Sequence, residues 1–111
     1  MGSREDRIAL NEALFRDVNE RVRNALDEMN EGMPPEVLEI FCECGLGDCM
    51  EKIRVSLQDY ERTRAHSEQF LVAIGHVIPH VESLVRDAGA YEVVEKHAHE
   101  AQIARATDPR S

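Results

Sequence analysis

Val37-Leu38-Glu39-Ile40-Phe41-Cys42-Glu43-Cys44-Gly45-Leu46-Gly47-Asp48-Cys49 contains all three cysteines of the chain, and its reading decides the fold. From Val37 to Cys44 the residues alternate. Leu38, Ile40, Cys42 and Cys44 fall on one face and Val37, Glu39, Phe41 and Glu43 on the other, the period of a strand. Beyond the glycine-rich turn, Ile53, Val55 and Leu57 alternate with Lys52, Arg54 and Ser56, so a second strand returns and the two make a hairpin.

Side chains two apart on a strand leave the same face about 6.6 Å apart along the backbone, so Cys42 and Cys44 can converge on one ion. Glycines at 45 and 47 accept positive φ and let Cys49 bring its sulfur back to the same point. Three thiolates leave one tetrahedral position for the histidines, which are His66, His76, His80, His97 and His99. His76 follows Gly75 at the end of a third apolar run and is the first choice. His80 is the second, and water is the remaining option. His66, His97 and His99 lie in polar segments and are expected to be solvated. The expected site is therefore a structural Zn2+ held by Cys42, Cys44, Cys49 and His76, because a closed ligand set contributes folding energy whereas an open position activates water. With water as fourth ligand, Glu43, Asp48 or Glu51 would be the candidate general base.

Two alternatives stand beside this reading. Three buried free thiols can act as small hydrophobes. A thiol-dependent redox sensor or enzyme would use Cys49 or the Cys42/Cys44 pair. A Cys42–Cys44 disulfide would sit at the edge of the Cα separations that such bonds accept. No phosphate-cradling loop, dinucleotide fingerprint, nucleophile elbow or zinc-protease His-Glu-x-x-His occurs, so no residue is assigned a catalytic role.

Upstream, Ile8, Leu14, Phe15, Val18, Val22, Leu26 and Met29 recur at steps of three and four, predicting a long amphipathic helix from about Ser3 to Asn30. Ser3 and Asp6 resemble a capping box. The stripe is expected to face the core, and where it overhangs a small sheet its 8–29 segment would meet a protein partner or a second copy of the chain. Asn30-Glu31-Gly32-Met33-Pro34-Pro35 ends the helix.

Downstream, Ser56 with Asp59 caps a short helix through Arg64. Phe70-Leu71-Val72-Ala73-Ile74 reads as a buried, central strand. His80 to Asp87 has Val81, Leu84 and Val85 at helical spacing and is expected to be a short helix after Pro79. Tyr91 to Lys96 closes the sheet as a last strand, and a weakly helical tail follows. The expectation is a single α+β domain over 1–111: a long N-terminal amphipathic helix on a small, mostly antiparallel sheet, with short additional helices and with 1–7 and 107–111 frayed.

With 22 acidic against 13 basic residues the net charge is −9, which disfavours a nucleic-acid partner or an anionic bilayer. No apolar run approaches a membrane span, and the first residues lack the pattern of a secretory signal, so a cytoplasmic location is expected. In a reducing compartment, an odd number of closely spaced cysteines suits metal ligation better than a disulfide framework.

The order of these features resembles a family of small, uncharacterised actinobacterial proteins. The likeness runs through Leu14-Phe15-Arg16-Asp17-Val18-Asn19-Glu20-Arg21, Phe41-Cys42-Glu43-Cys44 with Cys49, Tyr60-Glu61 with Arg64, Phe70-Leu71-Val72, Gly75-His76 and Tyr91-Glu92-Val93-Val94-Glu95-Lys96. It covers most of the chain. The resemblance implies that Cys42, Cys44, Cys49 and His76 act as a set, and it implies no activity. The chain departs from the pattern near His80 and in His97-Ala98-His99.

Overall fold

In a computed structural model, residues 4–33, 35–46, 48–79 and 81–110 are described, the Glu5 side chain excepted. The expected Ser3 cap, Pro34, Gly47, the His80 ligand alternative and Ser111 lie outside them. The helix α1 spans Arg4–Met29 and the hairpin strands are β1, Val37–Phe41, and β2, Lys52–Ser56. They are followed by α2, Leu57–Arg64, β3, Gln69–Val72, β4, Glu82–Asp87, β5, Glu92–Lys96, and α3, Ala98–Ala106. The α+β class holds, with two small antiparallel sheets in place of one.

The hairpin follows from its alternation: Leu38 and Ile40 of β1 and Ile53 and Val55 of β2 are buried, and Leu38 pairs with Val55 and Ile40 with Ile53. Ser56 ends β2 and caps α2, its hydroxyl accepting the Asp59 N–H at 3.1 Å. The strand order in the second sheet is β3-β5-β4, so the central strand is β5 and the expected centre, β3, is an edge. That edge is not bare. The backbone N–H of Glu43 donates to the Leu71 carbonyl at 2.8 Å, tying the chain just past β1 to β3.

Two further expectations are corrected. Residues 82–87 form a strand instead of a helix, because β5 offers a ladder that local spacing cannot reveal. A register shift between Leu84 and Arg86 breaks the period of two, which is why the sequence looks helical there. Glu82 points inward while Leu84 and Val85 are exposed.

The second correction concerns α1. Its buried face is Ile8, Ala9, Glu12, Ala13, Arg16, Asn19 and Glu20, whereas Leu14 and Met29 of the apolar stripe are 57% and 77% exposed. Phe15 rests on Phe41, and Val18, Val22 and Leu26 are half-buried. The reason is what α1 covers. Against it lie carbonyls outside any sheet ladder, and buried carbonyls need donors. Arg16 donates to the Ser67 carbonyl at 2.6 Å and the Ala104 carbonyl at 2.7 Å, with its guanidinium over the Phe70 ring. The docking face is therefore mixed: Ile8 of the stripe is buried with Ala9 and Ala13, and Glu12, Arg16, Asn19 and Glu20 are buried beside them.

Near the end of the chain, Arg110 pairs with Glu20 and lies 2.6 Å from Glu61, so the described part of 107–111 is tied down where fraying was expected. At the other end, His99 meets Asp6 at 2.8 Å.

Lys96 of β5 is buried between two carboxylates, pairing with Glu82 and lying 2.6 Å from Glu12. Glu82 also accepts the Ile78 N–H, whereas burial pushes the Glu12 carboxyl up from its ordinary 4.5 to about 9. A carboxyl held above its unfolded value contributes stability that is complete below the unfolded pKa and is lost as pH rises through the folded one. Wild-type protein is thus expected to lose stability, relative to Glu12→Gln, between about pH 4.5 and 9. Urea unfolding of both at pH 5, 7 and 9 tests this, and parallel curves would refute it.

Candidate metal centre

The site is assembled from the ends of two elements. β1 stops at Phe41, so Cys42 and Cys44 lie just past the strand in which they were expected, yet both remain buried. The Cys42 N–H donates to the Glu51 carbonyl at 2.8 Å, which carries hairpin pairing one step further. The turn beyond Cys44 starts at Gly45 with φ +78, and the Cys49 N–H donates to the Leu46 carbonyl at 3.0 Å, bringing Cys49 back over the hairpin. On the facing side β3 ends at Val72, and Gly75, at φ +86, reverses the chain to present His76.

These placements bring one ligand atom each from Cys42, Cys44, Cys49 and His76 within 4.8 Å of one another. His76 Nδ1 lies 3.4 Å from Cys42 Sγ and 3.7 Å from Cys49 Sγ. The three cysteines are free thiols. His66, His97 and His99 are exposed and stand outside the group, as expected.

Each sulfur also has a backbone partner. The Ala73 N–H donates to Cys42 Sγ at 3.1 Å, and the backbones of Leu46 and Glu51 hydrogen-bond Cys44 and Cys49. Such bonds stabilise thiolate over thiol. The hydrogen bond from Cys42 holds Cys44 down to about 5, and the same contact, with burial, pushes Cys42 up. Burial also raises Cys49. The acidic thiol is therefore the fully buried Cys44, and the half-exposed Cys49 is the less acidic, the reverse of what a thiol nucleophile needs.

The candidate general bases separate. Asp48 is exposed. Glu51 Oε1 lies 3.6 Å from His76 Nε2, the ring nitrogen not turned towards the sulfurs, where a carboxylate orients the imidazole. Glu43, expected on the outer face of its strand, is instead fully buried. It accepts from Arg64 Nη2, from the Leu71 N–H at 3.0 Å and from Asn19 Nδ2 at 2.7 Å.

Asn19 was not singled out by any motif. Its amide donates to the Phe41 carbonyl and accepts the Phe41 N–H, both at 2.9 Å, as a neighbouring strand would. Nothing in the sequence marks this role, because it depends on α1 crossing the hairpin end.

Comparison with protein-family models, curated proteins and solved structures finds no match. The group of three cysteines and one histidine that the actinobacterial resemblance implied is present in space, while the family itself is not shown. No helix among the described residues is long and apolar enough to cross a membrane.

Proposed function

We propose that the chain is a small zinc-binding module of the cytoplasm, with Cys42, Cys44, Cys49 and His76 as a structural Cys3His site. The observation that carries this reading is the spacing of the ligand atoms. Zn–S near 2.3 Å and Zn–N near 2.05 Å at a tetrahedral angle put nitrogen and sulfur about 3.6 Å apart, and the two His76 distances, 3.4 and 3.7 Å, bracket that value. Soft thiolates with one imidazole favour zinc over oxygen-seeking magnesium or calcium. Because four protein ligands would fill the coordination of tetrahedral zinc, the ion's role is to hold the hairpin end to the turn after β3.

The module acts through protein contacts, by way of the exposed Leu10 and Leu14 on α1, with a partner protein or a second copy as occupant. The competing redox reading would use Cys49 or the Cys42/Cys44 pair; the acidity order of the thiols weighs against Cys49, and burial of both Cys42 and Cys44 weighs against the pair.

Elemental analysis of protein purified without chelator is expected to find one zinc per chain. Cys49→Ser is expected to lower zinc affinity by more than about tenfold. Protein with no metal, whose Cys49 is alkylated quickly near pH 7 with or without chelator, would overturn the proposal in favour of the thiol reading.

A further inference from the structure

The strip from Phe41 to Gly45 has two sides. Its even positions, Cys42 and Cys44, supply sulfurs to the metal group. Its odd positions are held by α1: Phe41 and Glu43 by the Asn19 amide, and Gly45 by Asn11, whose Nδ2 donates to the Gly45 carbonyl at 3.2 Å. Gly45 leaves no room for play. A Cβ there would lie 2.5 Å from the Ile8 carbonyl oxygen and 2.6 Å from Glu12 Cγ, so the backbones of helix and loop are in direct contact.

Beside the buried Ile8, Ala9 and Ala13, this face of α1 is held by directional polar contacts, which are favourable only while their partners stay in register; when they shift, buried polar groups are left unpaired. The register of Phe41, Glu43 and Gly45 is the register of Cys42 and Cys44. We infer that the metal centre governs the docking of α1, and that Asn19 is a positioning residue for the metal ligands. The inference rests on the zinc reading and extends it from a staple for the hairpin to a control on the helix. The coupling is reciprocal: an ion that sets the strip favours the docked helix, and a docked helix sharpens the site by the same factor.

Two measurements on the full chain test this, after metal content has been established for the wild type. In amide hydrogen exchange, stripping zinc is expected to raise exchange at least tenfold across residues 8–23 of α1, as well as in 42–49 and 73–76 around the site. In chelator competition, Asn19→Ala is expected to weaken zinc binding by about ten- to a hundredfold, while Arg21→Ala, on the exposed face of the same helix, leaves it unchanged. A purely structural role for Asn19 would lower the stability of metal-free and metal-loaded protein equally and leave zinc affinity alone. Metal-bound protein in which stripping deprotects only 42–49 and 73–76 would overturn the coupling and leave the zinc site standing. A wild type that binds no zinc would remove the site itself, and the coupling with it. The exchange comparison needs no variant, so it decides the matter even if Asn19→Ala does not fold.

Discussion

Removing the ion from the Cys42, Cys44, Cys49 and His76 site is expected to lower the melting temperature by roughly 15 to 30 °C. The estimate starts from mass action: a ligand held at a thousand times its Kd stabilises the folded state by about 4 kcal/mol. A domain near this size moves about 4 to 8 °C for each kcal/mol. The loss is expected to stop short of complete unfolding. Cys42 and Cys44 belong to the core, but most of it, Leu38, Ile40, Val55, Tyr60, Phe70, Leu71, Val93 and Val94, is apolar burial that needs no metal ligand. Thermal unfolding followed by circular dichroism, with and without chelator, is the measurement. A shift under about 2 °C in protein shown to have lost its metal would mean that the ligands do not hold the fold together.

The second large effect is expected from Arg64→Met. Arg64 and Glu43 are 1% and 0% exposed, and Arg64 is the charge that faces the Glu43 carboxylate. Breaking a buried pair by removing one partner costs about 3 to 5 kcal/mol, because the remaining charge is left in a low dielectric. Glu43 sits between two of the cysteines, so the strain falls on the metal strip. The double variant Arg64→Met, Glu43→Gln is expected to be more stable than Arg64→Met alone, since a neutral amide still accepts the Leu71 N–H. Urea unfolding of both variants at pH 8 is the measurement. Equal stability of single and double variants at pH 8 would show that the Glu43 charge is not what the arginine balances.

Buried charge explains where sequence reading failed on α1. Periodicity assigns the apolar stripe to the core because apolar burial is the commonest reason for such a stripe. Here Arg16, Asn19 and Glu20 are buried because loop carbonyls, a strand edge and Arg110 present polar groups to them. The donors and the acceptors they meet are 22 to 90 residues apart in sequence, so no local window contains both. Glu43 failed for the same reason. Alternation past Ile40 places it outward, towards solvent, but that side is covered by Asn19, Arg64 and Leu71.

Several features needed nothing beyond the sequence. The hairpin, the Ser56 cap on α2, the strand ending at Lys96 and the gathering of Cys42, Cys44 and Cys49 follow from short-range rules: side chains alternate on strands, hydroxyls cap helices, and glycines turn the chain where positive φ is required. Tertiary structure alone decided that β5 and not β3 is central, that residues 82–87 pair as a strand, that Arg16, Asn19 and Glu20 join the buried face of α1, and that His76 reaches the sulfurs. Each of these depends on which distant group supplies the missing hydrogen bond or charge, and that is settled only when the elements meet.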